Sequence, residues 1–321
     1  MKRLRIVFMG TPEFAVATLG SLLMNGFNVI GVVTVPDKPA GRGRTIQKSA
    51  VKSFAESSYI PVFQPDNLKD SEFIKTLKDL KPDVFIVVAF RMLPEVVWKI
   101  PSLGTYNLHA SLLPDYRGAA PITHAIINGE TRTGVTTFLI DDKIDTGNIL
   151  LREEIHIFPF ENAGDLHDRM TKLGTRLVIK TLAGIADKSI TPQPQSNFIT
   201  PGTELRTAPK IHTEDCIINW NTGAIKIHNL IRGLAPYPGA RSILKGLKKS
   251  LTIKIFESIP EIETHNHSPG TIISDGKHFL KIACPDGFVN ITYLQLEAKK
   301  KMNSIEFLRG CNISDYTIGF N

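Results

Sequence analysis

Cysteine is scarce in this chain, and its placement limits what the protein can be. The three cysteines, Cys216, Cys284 and Cys311, are scattered along 321 residues. Such an odd, widely spaced set offers neither a disulfide framework nor a pair of metal ligands. We therefore expect a protein without a bound metal that works in a reducing cytoplasm.

Long apolar runs are also missing. No stretch reaches the roughly 18 apolar residues that a transmembrane helix needs. The start, MKRLRIVFMGTPEF, has the basic-then-apolar order of a signal peptide, but its apolar part spans Ile6 to Met9 alone, which is too short for that role. We interpret it as a buried strand and expect no membrane association.

What is present suits a folded chain of about two domains. Hydrophobic residues make up 42% of the sequence, which is enough for real cores. The net charge of +7 permits an anionic partner such as nucleic acid without identifying one. The placement of the charges therefore matters more than their total.

Strands and helices alternate through the first half. The continuous apolar runs RIVFMG, FNVIGVVTV and DVFIVVAF are separated by amphipathic helices such as SEFIKTLKDLK. This order predicts an α/β, Rossmann-like, doubly wound and mostly parallel sheet. At the first turn we predict Thr11 as the helix N-cap and Pro12 as the first helical residue. Because that turn has the single glycine Gly10, a dinucleotide site is not expected.

The second half has a different character. Residues 190–206 are rich in proline, threonine and serine and lack periodicity, which predicts a linker. From residue 207, short strand-like runs are separated by turns such as Asp275-Gly276 and Asp286-Gly287, and this pattern predicts a small β-barrel. We therefore predict domains at 1–189 and 207–321.

The stretch NLHASLLPDYRG combines groups that suit chemistry. Asn107 and His109 are two residues apart, so on a strand end both would project from one face. That pair could hold a carbonyl oxygen while its carbon is attacked, and Asp145 could orient the imidazole. No Ser or Cys lies in a nucleophile elbow, which favours direct transfer over a covalent intermediate. The alternative for His109 is a structural histidine.

A basic loop at residues 35–52 is the second candidate site. It carries Lys38, Arg42, Arg44 and Lys48, and no acidic residue follows Asp37 within it. Cations on a loop rich in proline and glycine suit contacts to a phosphate backbone. The alternative is a solvated surface loop.

Four motifs, in this order and spacing, resemble those of the methionyl-tRNA formyltransferases: MGTPEFA, PDKPAGRGR, NLHASLLPDYRGAAPI and DTGNIL. The similarity spans nearly the whole chain, including APYPGA at residues 235–240. The resemblance implies transfer of a formyl group from 10-formyltetrahydrofolate to the amino group of methionine on initiator tRNA, in support of translation initiation. Where many members have Arg-Trp, this chain has Asp115-Tyr116.

The resemblance also implies residue roles. It places 10-formyltetrahydrofolate binding and catalysis in 1–189, an OB-like tRNA-binding domain in 207–321, and a monomer in the cytoplasm. The implied catalytic residues are Asn107, His109 and Asp145. The implied folate contacts are Phe90, Met92, Leu93, Ser111, Leu112, Leu113 and Pro114. The implied tRNA contacts are Lys38, Arg42, Arg44, Lys48, Lys248 and Lys249.

Three alternatives stay open. A sugar-nucleotide N-formyltransferase would share the folate domain and the catalytic trio, and a formyltetrahydrofolate hydrolase would not require the basic loop. A catalytically silent RNA-binding protein is the third, and the intact trio argues against it. The segment 207–321 has 14 Lys and Arg against 10 Asp and Glu. Its lysine clusters favour an RNA partner.

Overall fold

The computed structural model describes residues 4–40, 45–246 and 250–319. The chain divides into two compact units, and neither is continuous in sequence. The first unit comprises Met1–Gly118, Thr133–Ile155 and Asp168–Thr207. The second unit comprises Ala119–Arg132, His156–His167 and Ala208–Asn321. The predicted limits at 189 and 207 stay predictions.

Strands and helices alternate up to β10, and strands dominate after α7. The strands are β1 (Arg5–Gly10), β2 (Asn28–Val33), β3 (Lys38–Ala40), β4 (Thr45–Gln47), β5 (Val62–Phe63), β6 (Val84–Val88), β7 (Thr105–His109), β8 (Arg117–Gly118), β9 (Arg132–Leu139), β10 (Ile149–His156), β11 (Thr207–Ala208), β12 (Ala240–Gly246), β13 (Ser250–Ile262), β14 (Ile272–Ser274), β15 (Leu280–Cys284), β16 (Gly287–Leu296), β17 (Met302–Asn303) and β18 (Tyr316–Gly319). The helices are α1 (Glu13–Met24), α2 (Ala50–Ser57), α3 (Ser71–Asp79), α4 (Glu95–Trp98), α5 (Pro121–Ile127), α6 (Ala163–Asp187), α7 (Ala224–Leu234) and α8 (Ser304–Gly310). None of the helices in the described ranges is both long and apolar enough to cross a bilayer.

The first unit is built on a seven-stranded sheet of order β10-β9-β7-β6-β1-β2-β5. Strands β5, β2, β1, β6 and β7 run parallel, whereas β9 is antiparallel to β7. All five residues of β6 are buried, as a strand covered on both faces requires. The predicted mostly parallel α/β sheet is confirmed.

The predicted start of α1 is wrong by one residue. Helix α1 begins at Glu13, and Pro12 occupies the capping position with extended backbone angles, φ −85° and ψ 177°. No side chain caps this helix, because the proline at the capping position has no side-chain acceptor to offer. The side chain of Ser49, by contrast, caps α2.

The second unit contains a seven-stranded antiparallel sheet of order β14-β15-β16-β13-β12-β18, with β17 beside β16. Helix α7 packs against β13, and Trp220, Ile231 and Val289 are buried in this core. The predicted barrel-like β domain is confirmed. Helix α8 was not predicted, although Asn303 and Glu306 form a capping box that the sequence displays.

Residues 190–206, predicted as a linker, make specific contacts within the first unit. Gln193 pairs through its backbone with Ile149, and a short 3-10 helix follows at Gln195–Phe198. The side chain of Gln195 is buried. The absence of periodicity therefore marks irregular structure here and not a free tether.

Candidate active site

Strand β7 carries Asn107 and His109 at an end of the parallel sheet. Asn107 is in register with Val87 of β6 on one side, and His109 with Thr136 of β9 on the other. Residues two apart in a strand project from the same face. His109 is buried, and Asn107 is half-buried. The strand thus carries the amide and the imidazole on one face, and their joint role in catalysis stays a prediction.

Both ring nitrogens of His109 face protein groups. Nε2 lies 2.9 Å from the carbonyl oxygen of Tyr116. A carbonyl can only accept a hydrogen bond, so Nε2 carries a proton and donates it. Nδ1 lies 3.6 Å from Oδ2 of Asp145, a charge contact longer than a hydrogen bond. A proton on Nδ1 would therefore face a carboxylate.

Asp145 reaches this position through an unusual backbone conformation. Its φ of +55° lies in the left-handed region, which a residue with a Cβ adopts at a cost of about 1 kcal/mol or more. Its carboxylate accepts a hydrogen bond from the backbone N–H of Gly118 at 3.0 Å. Asp141 accepts bonds from Lys143 and Thr146 and stabilises the preceding turn.

Asn107 offers an unsatisfied polar atom. Its buried Oδ1 has no hydrogen-bond partner in the part of the chain that the structure describes. Buried polar atoms are nearly always paired, so an unpaired one marks a place where a ligand can supply the partner. Within the same ranges, no three His, Cys, Asp or Glu residues meet as metal ligands.

The SLLP segment lies directly after this strand and is internally bonded. Ser111 is buried, and its hydroxyl donates to the carbonyl of Asp115 at 2.6 Å. The N–H of Leu113 donates to Oγ1 of Thr136, which in turn donates to the carbonyl of Ser111. These side chains shape the segment, whereas Leu112 is half-buried.

Phe90, Met92 and Leu93, the three expected folate contacts that follow β6, have different environments in the structure. Leu93 is buried in the core of the first unit, and Phe90 packs against that core. The side chain of Met92 is 76% exposed. An apolar side chain this exposed, close to the sheet edge, is available to a flat apolar ligand.

Asp115 and Tyr116 have a structural partner that we did not predict. Oδ1 of Asp115 accepts the backbone N–H of Arg206 at 2.6 Å. The guanidinium of Arg206 donates to the hydroxyl of Tyr116 at 2.9 Å, and the N–H of Tyr116 donates to the carbonyl of Arg206. The negative charge at position 115 thus anchors a neighbouring segment. No local sequence pattern indicates this pairing, because 90 residues separate its members.

The basic loop is only partly described. Arg42, Arg44, Lys248 and Lys249 lie outside the described residues. Lys38 is exposed.

The charge of Lys48 is balanced by a carboxylate from outside the basic loop, so the loop has less unpaired positive charge than its own sequence indicates. Its ammonium lies 2.7 Å from a carboxylate oxygen of Glu56, and this pairing raises the pKa of Lys48. Lys52 pairs with Asp37 at 2.6 Å. Hydrogen bonds from Lys52 and Gln64 lower the pKa of Asp37. Glu56 was overlooked because it lies on α2, beyond the loop.

The most informative residue that sequence reasoning missed is Gln195. Its amide nitrogen donates to the carbonyls of Asp145 and Gly147, and its oxygen accepts from Arg117. Gln195 lies in the proline-rich segment, where no pattern distinguishes it from its neighbours. Contacts distant in sequence are the information that a single sequence does not display.

Comparison with known protein families agrees with this architecture. A family model described as "Formyl transferase" matches residues 4–182, and one described as "Formyl transferase, C-terminal domain" matches residues 210–312. The fold and these matches define the chain as a formyl transferase.

Relatives narrow the family further. The methionyl-tRNA formyltransferase of Flavobacterium johnsoniae is 52% identical over 315 residues, which is 98% of each chain. That of Bacteroides fragilis is 51% identical over 313 residues, 97% of this chain and 96% of the relative. The chain belongs to the methionyl-tRNA formyltransferase family.

A solved structure supports the fold alone. The N-formyltransferase from Helicobacter canadensis, in complex with folinic acid and dTDP-3-aminofucose, superposes with a TM-score of 0.66. It is 22% identical, and the match covers 93% of this chain and all of that one. At this identity the likeness does not transfer a substrate.

Proposed function

We propose that the chain transfers the formyl group of 10-formyltetrahydrofolate to the amino group of methionine on initiator methionyl-tRNA, and so supports translation initiation. The observation that carries this proposal is the contact between His109 and Asp145, with Asn107 two residues before His109 on the same strand, in a chain of this family. The contact between Nδ1 of His109 and the Asp145 carboxylate links residues that are 36 apart in sequence.

The reaction requires an amine to add to the formyl carbon, which places negative charge on the formyl oxygen. The intermediate then collapses as the bond between the formyl carbon and the folate nitrogen breaks, and that nitrogen leaves with the proton that the amine gives up. Donors directed at that oxygen stabilise the charge where it develops. Asn107 supplies an amide N–H₂ for this purpose, and its Oδ1, which has no partner among the described residues, can accept a hydrogen bond from the substrate. Since Nε2 of His109 already donates to the Tyr116 carbonyl, Nδ1 is the nitrogen that can take up the proton that the amine must lose.

Asp145 holds the imidazole in place. Its carboxylate faces Nδ1 of His109, and the Gly118 N–H donates to the same oxygen. A carboxylate so placed orients the ring and stabilises a proton on Nδ1 during the transfer. The chain's own residues thus bind, orient and hold a proton, and none is needed as a covalent nucleophile.

The folate donor would occupy the edge of the sheet beside β7. Phe90, Met92 and Leu112 offer partly or largely exposed apolar surface there, while Ser111, Leu113 and Pro114 shape the wall by their packing. Leu93 is buried in the core and supports this wall from behind. The donor is a co-substrate, and no metal is part of the proposal.

The tRNA would be held by cations. We propose Lys38, Arg42, Arg44 and Lys48 of the basic loop as backbone contacts, and Lys248 and Lys249 as contacts from the second unit. Lysine and arginine neutralise phosphates and release counterions. Since Lys48 already pairs with Glu56, we expect it to contribute least. A monomer in the cytoplasm completes the proposal.

The deciding experiment is a formyl-transfer assay with two acceptors. The purified chain is incubated with 10-formyltetrahydrofolate and methionine-charged initiator tRNA, and in parallel with an amino-sugar nucleotide. We expect formylmethionyl-tRNA from the wild type and its loss in His109→Ala, with folding of the variant checked by thermal melting. Product from the amino sugar alone would favour the sugar-nucleotide alternative and reject the tRNA assignment.

A further inference from the structure

Gln195 is a buried amide whose hydrogen bonds converge on the candidate site. Its side chain is 5% exposed. Nε2 donates to the carbonyl of Asp145 at 2.8 Å and to that of Gly147 at 2.9 Å. Oε1 accepts two bonds from Arg117, from Nη2 at 2.6 Å and from Nε at 3.1 Å. The amide therefore uses both donors and its acceptor.

The turn that Gln195 contacts needs such a partner. The backbone of Asp145 is left-handed, so its carbonyl does not take part in the regular hydrogen bonding of a strand and needs another donor. Buried carbonyls must find a donor or cost free energy. Because one amide group donates to two carbonyls of the turn, it also sets their spacing and stabilises the strained conformation.

Arg117 and Gly118 provide the remaining hydrogen bonds that hold Asp145, the first through Gln195 and the second directly. The guanidinium of Arg117 holds the Gln195 amide in one orientation, since only the oxygen can face its donors. The N–H of the next residue, Gly118, donates to the Asp145 carboxylate. Asp145 is thus held at its main chain by Gln195 and at its side chain by Gly118.

We propose that Gln195 is a positioning residue for formyl transfer, acting through Asp145 to hold the carboxylate beside His109. This inference rests on the proposed function, in which Asp145 orients the imidazole. Gln195 does not contact the reacting atoms. Its effect is geometric, and displacement of a catalytic group by about 1 Å can cost about 100-fold in rate.

The sharpest variant is Gln195→Glu, which is nearly isosteric. It keeps an oxygen to accept from Arg117, but it replaces the two N–H donors by an oxygen that faces two carbonyls. The matched control is Gln193→Glu, the same chemical change two residues earlier on an exposed side chain. We expect Gln195→Glu to lower kcat by about 10- to 100-fold, with KM for both substrates within about threefold and a folded melting profile. The control should match the wild type.

A double-mutant cycle tests whether the effect passes through Asp145. Residues that act as one unit show non-additive losses. We therefore expect Gln195→Glu to cost less than about twofold in an Asp145→Asn background. A full multiplicative loss there would overturn the inference, since it would mean that Gln195 acts independently of Asp145.

Amide hydrogen exchange gives a readout that does not depend on activity. Loss of the Gln195 hydrogen bonds in Gln195→Glu should speed exchange in peptides covering Gly118 and residues 145–147, and leave exchange in the peptides of β1 and β6 unchanged. If the wild type transfers no formyl group, the proposed function fails, and hydrogen exchange still tests whether Gln195 holds the turn at Asp145. If Asp145→Asn is inactive while Gln195→Glu turns over and exchanges like the wild type, the inference fails and the proposed function stands.

Discussion

Two buried histidines, one in each unit, differ in what surrounds them. His109 is 7% exposed and His228 is 6% exposed. His109 faces a carboxylate at Nδ1 and a carbonyl at Nε2. His228 faces the hydroxyl of Ser258 at Nδ1 and, at 3.5 Å, the carbonyl of Pro159 at Nε2, with Arg232 nearby.

The difference shows that burial alone does not distinguish a candidate catalyst from a structural residue. Burial lowers the pKa of His228, and the charge of Arg232 lowers it further, so this imidazole is held neutral. It belongs to a core in which Arg232 also bonds Asn229 and the carbonyl of Glu161. His109 instead lies next to an anion and to Asn107, whose Oδ1 has no partner among residues 4–40, 45–246 and 250–319.

The largest expected effect contrasts the same substitution at both histidines. His109→Asn should lower kcat for formyl transfer by about 100-fold or more, because it removes the proton carrier. His228→Asn should leave kcat within about twofold, since the ring it removes is only packed and hydrogen-bonded. Steady-state kinetics on both variants would measure this. Comparable losses from the two changes would remove the distinction between the sites.

A second pair compares glycines of the two units. A Cβ at Gly147 would overlap the carbonyl oxygen of Leu139, so Gly147→Ala must displace the turn that carries Asp145. We expect roughly tenfold lower kcat and a clearly lower melting temperature. Gly276 has φ +74° with nothing within 4 Å of a Cβ, so Gly276→Ala should cost about 1 kcal/mol of stability and leave kcat unchanged. An active, stable Gly147→Ala would argue against a fixed turn.

The basic loop gives a smaller effect that separates binding from chemistry. Arg42→Ala should raise KM for the charged tRNA by roughly three- to tenfold and reduce its salt dependence, because a phosphate contact is lost. KM for the folate donor should not change. Lys48→Ala should do less, since Glu56 already neutralises that ammonium. Identical turnover of wild type and Arg42→Ala across a salt series would reject a role for the loop.

The smallest expected effect is a pH dependence confined to the second unit. The pKa of His228 is lowered in the folded state from 6.5, so the unfolded chain binds the extra proton below about pH 6.5 and stability falls as the pH drops through that window. His228→Asn removes this contribution. We expect the melting temperature of the variant to fall by about 2 °C less than that of the wild type between pH 8 and pH 5.5. Parallel pH profiles would contradict the buried, neutral histidine.

Much of the fold and the central trio could be predicted from the sequence. A strand that is buried on both faces, such as β6, is recognisable in the sequence as a continuous apolar run. The spacing of Asn107 and His109 predicted their common face, and Asp145 was expected to be the carboxylate that orients the imidazole. Local patterns and long motifs are the properties that a linear sequence displays directly.

Other features arise where segments distant in sequence meet. Gln195 lies 50 residues from Asp145, and Arg206 lies 91 residues from Asp115. Lys48 can pair with Glu56 because the end of the basic loop lies close to helix α2, which carries Glu56. A proline-rich segment is irregular whether it is free or packed, so composition did not distinguish a linker from an ordered part of the first unit.

The alternation of elements, the family and the groups available for chemistry follow from the sequence, because periodicity, motif order and residue type are local properties. The contacts in the folded chain were needed to show that Nδ1 of His109 faces Asp145, that a buried glutamine bonds the left-handed turn, and that His228 is held neutral. The physical reason is that hydrogen-bond partners, burial and charge environment depend on which segments come together in space. Those contacts assign different roles to side chains of the same type.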